Sequence, residues 1–273
     1  MFKSKKIKAV ICAVVLCMSV AFVGCGQKSD NAKENLSKID KIKKDGKLVL
    51  GTCADYPPYE FHKMNDGKDE IIGFDIEIAK EMAKDLGVEL EIKDMDFDGL
   101  IPSLKTAKVD IIISGMTPTP ERAKEVDFSK IYYKAVQNVM IRNEDKEAYK
   151  SLEDLTGKKL GAQTSSIQEK IAKEQIKDSN VTSLGKVTEL VLSLKTKKVD
   201  AIVVEGPVAQ AYAEKNDDIM VSDMPVGNPA DGSAIAIQKG NEDLVEVVNK
   251  TIDRLVSENK INEFVAKANE LAE

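Results

Sequence analysis

The chain has 273 residues, with 40 basic against 46 acidic side chains. That length serves two lobes of about 100 residues, each able to bury a core, while the acidic balance excludes a nucleic-acid partner and an anionic-lipid-binding surface. With a single histidine, His62, neither a triad nor a zinc site built on histidine pairs is expected.

At the N-terminus Lys3, Lys5, Lys6 and Lys8 precede an uncharged run at 9–24, too short to span a bilayer and suited to a cleaved export signal. The run ends in Phe22-Val23-Gly24-Cys25, which resembles the bacterial lipoprotein box, with phenylalanine where leucine is usual. The resemblance implies cleavage before Cys25 and a diacylglyceryl group on its sulfur, hence a lipid anchor on the extracytoplasmic side of the cell membrane. Residues 1–25 are then a signal peptide and 26–46 a tether. Cys12 and Cys17 leave with the signal and Cys25 is lipidated, so Cys53 is the one remaining thiol and no internal disulfide forms. Without the four leader lysines the balance is 36 basic to 46 acidic residues.

Beyond the tether, 48–51 reads as a first strand. Phe74, Ile78, Met82 and Leu86 form one stripe of a helix that Gly87 stops. An alternating strand follows at 88–92. Leu100 and Leu104 then close an amphipathic helical stretch before the β-branched run 109–113. The second half restarts the pattern: "SLEDL" with Ser151 as cap and Asp154 three residues on, a short strand at 159–162, a helix at 167–176, then Leu190 and Leu194 before the run 199–204. The phrases "SLKTAKVDIIISG" and "SLKTKKVDAIVVEG" are near copies, and both end in runs too continuously apolar for a strand with one wet face, which fit the buried centre of a parallel sheet. Two α/β sheets, or one large sheet with similar units, both accommodate the echo. A strand at 233–238 and helices at 242–257 and 260–271 complete the chain.

Open α/β sheets hold ligands beyond the carboxyl ends of their strands, where this sequence concentrates its polar chemistry. After the first copy stands "SGMTPTPER", in which Thr119 and Pro120 suit a helix entry and Arg122 offers a planar fork for a small carboxylate. A surface arginine paired with Glu121 or Glu125 is the alternative. The second copy ends in Glu205, a carboxylate that an ammonium group would satisfy unless it faces water. Thr164-Ser165-Ser166 opens the 167–176 helix as a second anion-friendly end. Tyr56, in "CADYPPYEF", and Phe97, in "DMDFDGLIP", are candidate walls of an apolar slot, or core.

Taken with "IIGFDIEIAKEMAKDLG", "DFDGLIPSLKTAKVDIIISGMTPTPERAKEVDFSKIYY" and "SLEDLTGKKLGAQTSS", these stretches resemble the bacterial extracellular solute-binding proteins that deliver amino acids to ABC importers. The resemblance covers residues 46–271. It implies an α/β, two-lobed, type II periplasmic-binding-protein-like fold, with lobe 1 at 47–134 plus 228–273 and lobe 2 at 135–227, joined by two crossing strands. It further implies that Arg122, the backbone near Thr117 and Ser166 hold an α-carboxylate. The Gly115 carbonyl, the Thr117 hydroxyl and Glu205 would hold the α-ammonium, and Tyr56 and Phe97 would enclose the side chain. The implied partners are a free amino acid and an ABC permease–ATPase complex, the protein being a monomer without a cofactor or metal. Two positions depart from the pattern. Glu205 stands where aspartate is usual, and Cys53 where many members carry an acid near the ligand side chain, which favours an uncharged polar or sulfur-containing amino acid. Rival functions of the same fold are a cyclohexadienyl dehydratase-like enzyme using Glu205 as acid or base and a ligand-sensing surface lipoprotein; a structural or adhesive protein is a third.

Overall fold

The computed structural model describes residues 36–272, so the signal peptide and Cys25 lie outside the described residues. Helix α1 (Lys38–Asp45) is capped by Ser37, whose hydroxyl accepts the Asp40 N–H, and ends at Gly46 with φ 70°. It occupies a stretch expected to be tether. Ile42 is buried in the core and Lys38 pairs with Asp110 at 2.6 Å, so this segment packs rather than trailing.

Strand β1 (Lys47–Thr52) leads to a small antiparallel sheet of β2 (Asp55–Tyr56), β3 (Glu60–Asn65) and β4 (Lys68–Ile72). Helix α2 (Phe74–Leu86) buries the expected stripe and is closed by Gly87. Then come β5 (Glu89–Asp94), α3 (Phe97–Lys105), β6 (Ile111–Ile112) and β7 (Val126–Tyr133). The chain crosses into β8 (Gln137–Arg142), β9 (Lys159–Gln163), α4 (Ile167–Gln175), β10 (Asn180–Leu184), α5 (Val187–Lys195), β11 (Ala201–Glu205), α6 (Gly206–Glu214) and β12 (Ile219–Val226). It crosses back into β13 (Ser233–Gln238), α7 (Glu242–Ser257) and α8 (Lys260–Ala272).

Two five-stranded sheets result, ordered β5-β1-β6-β13-β7 and β10-β9-β11-β8-β12. The echoed runs occupy the central strands, β6 and β11. Both sheets are mixed rather than parallel: β1 pairs β5 and β6 in parallel and β9 pairs β10 and β11 in parallel, while β13 and β8 run antiparallel to the central strands. Burial on both faces, not strand direction, made the runs apolar, since Ile111, Ile112 and Ile202 are fully buried.

The echo extends to close packing. An added Cβ at Gly51 in β1 would meet both Val109 methyls at 3.2 Å, and one at Gly161 in β9 would meet a Leu190 methyl at 3.0 Å. Bare backbone at these two points lets Leu100 of α3, 3.4 Å from an added Cβ at Gly51, and Leu190 of α5 lie tightly on their sheets. The two copies are thus one packing solution used once per lobe.

Candidate functional site

The carboxyl ends of β1, β6 and β9 face a nearly closed cavity of about 10 Å³ lined by Cys53, Asp55, Tyr56, Glu60, Phe97, Ser114, Gly115, Gln163 and Gln168. A more open groove between the β3–β4 hairpin, α2 and α8 is lined by Lys63, Glu70, Glu77, Lys80 and Lys267, away from the strand ends. Its lysines and acids are surface groups, without the convergent buried polar atoms of a small-ligand site.

Of the expected residues, Tyr56, Phe97, Gly115 and Cys53 stand on the cavity wall. Tyr56 is buried, and its hydroxyl accepts the Gln168 side-chain amide at 3.2 Å. Gly115 has φ 53°, and its missing side chain leaves room for the Tyr56 ring, 3.3 Å from where a Cβ would stand. Cys53 is both wall and core. Its thiol donates to Asp55 Oδ1 at 3.3 Å and accepts the Gln163 amide at 3.6 Å, and burial, with Asp55 and Glu60 nearby, raises its pKa.

Arg122 lies behind Phe97, its guanidinium carbon 5.3 Å from the ring centroid. It pairs with neither Glu121 nor Glu125. One end donates to the Thr117 carbonyl at 2.7 Å and the other crosses the cleft to the Ser165 carbonyl at 2.8 Å. Desolvation lowers its pKa to about 10, leaving it cationic at neutral pH. The helix expected from Thr119 is a single 3-10 turn, Arg122–Lys124. Thr119 Oγ1 still accepts the Arg122 N–H at 3.2 Å, but β7 begins at Val126 and leaves no room for further turns. Ser166 caps α4 by accepting the Glu169 N–H, and donates to the Gln163 carbonyl.

Glu205 is buried at 2 % exposure, so it does not face water, but it is off the cavity wall. A chain of amides links it to the wall: Gln137 donates to Glu205 Oε1 at 3.0 Å, and Gln168 donates to Gln137 Oε1 at 2.7 Å as well as to Tyr56. Burial pushes Glu205 up to about 7, partly offset by the hydrogen bond from Gln137. Its Oε2 has no partner.

Sequence reasoning missed three further acids. Glu60, at 0 % exposure, accepts the Ser114 hydroxyl at 2.6 Å through Oε1, while Oε2 has no partner. Asp75 accepts the Gly115 N–H at 2.9 Å and the Tyr132 hydroxyl at 2.8 Å. Asp55 accepts the Val187 N–H from the other lobe and the Cys53 thiol. Burial raises all three, Asp55 to about 6 and Glu60 furthest above its ordinary range, with the Asp75 charge adding to the effect. Among the described residues none of them forms an ion pair. Their signal was the crowding of acids among aromatics in "DYPPYEF" and the acid inside the apolar first turn of "GFDIEI". The acid absent at Cys53 is therefore matched by carboxylates two and seven residues further along the chain.

This is a cleft between two lobes whose polar groups meet at strand ends and whose buried acids form no ion pair among the described residues. The profile of the bacterial extracellular solute-binding proteins, family 3, matches residues 48–269. The chain belongs to this family. Among family relatives, the arginine-binding extracellular protein ArtP of Bacillus subtilis (strain 168) is 37% identical over 263 residues, 95% of this chain and 97% of that protein. A solved amino acid ABC transporter substrate-binding protein from Streptococcus pneumoniae Canada MDR_19A, bound to L-arginine, is 37% identical with TM-score 0.83, covering 86% of this chain and 98% of that one. The ancestral amino acid-binding protein AncCDT-1, a precursor of cyclohexadienyl dehydratase, is 35% identical with TM-score 0.77, covering 85% and 99%. Family 3 proteins bind solutes outside the cytoplasm, and this member is a binder rather than an enzyme.

Proposed function

We propose that this protein captures a free L-amino acid with a cationic side chain, L-arginine first, and delivers it to an ABC permease–ATPase complex. The reading rests on Glu60 and Asp55, two buried acids on the cavity wall, neither of which has a counter-ion among the described residues. An unpaired buried carboxylate is costly, and a guanidinium supplies both the charge and several donors. The arginine-related proteins among its relatives support the same class. Asp55 and Asp75 add negative potential to that end of the cleft.

In this reading Arg122, the Thr117 backbone and Ser166 receive the α-carboxylate, which replaces the carbonyls that Arg122 now contacts. Glu205, the Gly115 carbonyl and the Thr117 hydroxyl receive the α-ammonium, and Tyr56 and Phe97 enclose the aliphatic stem. The lobes are 47–134 with 228–273 and 135–227, and the monomer is held to the extracytoplasmic face of the membrane by lipid on Cys25. The thiol of Cys53 beside the Gln163 amide favours a second reading, an uncharged polar or sulfur-containing amino acid.

Calorimetric titration with L-arginine, L-lysine, L-glutamine and L-cystine distinguishes the two. Arginine is expected to bind at least about tenfold more tightly than glutamine or cystine. Its amide and N-acetyl derivatives should each lose ~2–5 kcal/mol, because each leaves a buried protein charge unpaired. Tighter binding of glutamine or cystine than of arginine would move the assignment to the second reading.

A further inference from the structure

Across the cleft from Asp55 lies the start of α5, where the local sequence provides no cap. Position 186, which should carry a serine, threonine or aspartate, holds a lysine that makes no capping bond. The Val187 N–H, first in the helix, instead donates to Asp55 Oδ2 from the other lobe. The surrounding contacts tie the same two surfaces together. Tyr212 of α6 donates its hydroxyl to the Asp55 carbonyl at 2.8 Å, Lys186 pairs with Asp94 at 3.3 Å, and Gly185 sits where an added Cβ would meet Asp96 at 2.9 Å.

We propose that Asp55 is a positioning residue for closure of the cleft: it caps α5 in trans, completing in the shut protein a helix end that its own lobe leaves open. The positive end of the helix and the carboxylate attract each other directly, and separating the lobes returns both to water. Asp55 thereby acts on how long a ligand stays enclosed, through the lobe contact, whichever amino acid is bound. The seam also covers Cys53, which is 1 % exposed and packed beneath Asp55, so reagent access to this thiol reports opening.

The decisive variant is Val187→Pro in the full-length protein. It removes the N–H while leaving Asp55 intact, and proline is favoured at the first helical position. Lys186 already has φ −123° and ψ 142°, the extended conformation that a following proline requires. Alkylation of Cys53 by iodoacetamide, followed on its own peptide by mass spectrometry in ligand-free protein, is expected to accelerate about tenfold, the equivalent of one charge-assisted hydrogen bond. L-arginine dissociation should accelerate similarly with its association rate unchanged, a split that a loss of binding contacts alone does not produce. The Asp55→Ala/Val187→Pro double variant should open no more readily than Asp55→Ala, since both remove the same bond.

Unchanged Cys53 alkylation in Val187→Pro that retains the parent's circular dichroism overturns the proposal. If that variant does not fold, Asp55→Ala takes its place and must enlarge the radius of gyration of the ligand-free protein in X-ray scattering; an unchanged radius overturns the proposal equally. Neither the alkylation nor the scattering needs a ligand, so the closure role and the arginine reading fail separately.

Discussion

Glu205 and Glu60 present the same chemistry in two places, a carboxylate with one satisfied oxygen and one without a partner. Each is tolerated in the closed protein by retaining a proton to higher pH than a free side chain does. For Glu205 the folded value of about 7 lies above the ordinary 4.5, so its contribution to stability is complete below the lower figure and is lost as pH rises through the upper one. Glu205→Gln should therefore stabilise the ligand-free protein at pH 8, by up to about 3 kcal/mol, and change it little at pH 4. Urea unfolding at both values measures this, and equal effects at the two would contradict the assigned burial. Glu60→Gln is expected to weaken L-arginine binding by ~2–4 kcal/mol in calorimetry while leaving the ligand-free protein at least as stable at pH 8, since an amide there has no proton to lose. A gain in stability with a loss of binding separates a ligand group from a structural one.

At the scale of elements, the helices and central strands were legible because burial writes periodicity into the chain. The stripe of Phe74, Ile78, Met82 and Leu86 and the apolar runs of β6 and β11 need no tertiary information. The turn after β6 was not legible in the same way. Thr119-Pro120 carries the local signals of a helix start, yet β7 is committed to pair with β13 from Val126 onward, and the tertiary demand wins. Glu60 was hidden for a related reason. It opens a strand whose residues from His62 onward are partly or fully exposed, and only the fold of Ser114 and Asp75 over it makes it interior. The paired glycines supply a test of the internal echo. Gly51→Ala and Gly161→Ala should each lower stability by ~1–3 kcal/mol in denaturant unfolding, because each adds a methyl against packed side chains of the following helical unit. A loss at one site with none at the other would mean that the two lobes solve the packing differently.

For the whole molecule, Asp55, Glu60, Asp75 and Glu205 all carry raised values, so the closed, ligand-free protein becomes less stable as pH climbs from about 5 to 8. A cationic ligand offsets that cost where the carboxylates are ionised. The rise in melting temperature produced by saturating L-arginine should accordingly be larger at pH 8 than at pH 5, and the reverse order would contradict a cation-seeking cleft. The two-lobed architecture was legible from the repeated phrase together with the family resemblance. Which acids line the space between the lobes depends on how two separately folded surfaces meet, and no local pattern encodes that.

The order in which the strands occur along the chain has a consequence for biogenesis. The second sheet uses only residues between Gln137 and Val226, so all of it is available once that stretch has emerged from the ribosome. The first sheet lacks its fourth strand until Gln238 has been made, and β7 pairs with nothing else in the sheet. A nascent chain therefore carries, for over a hundred residues of synthesis after Tyr133, an edge that has no partner yet. That delay keeps the first lobe unfinished until all but the last 35 residues have been made.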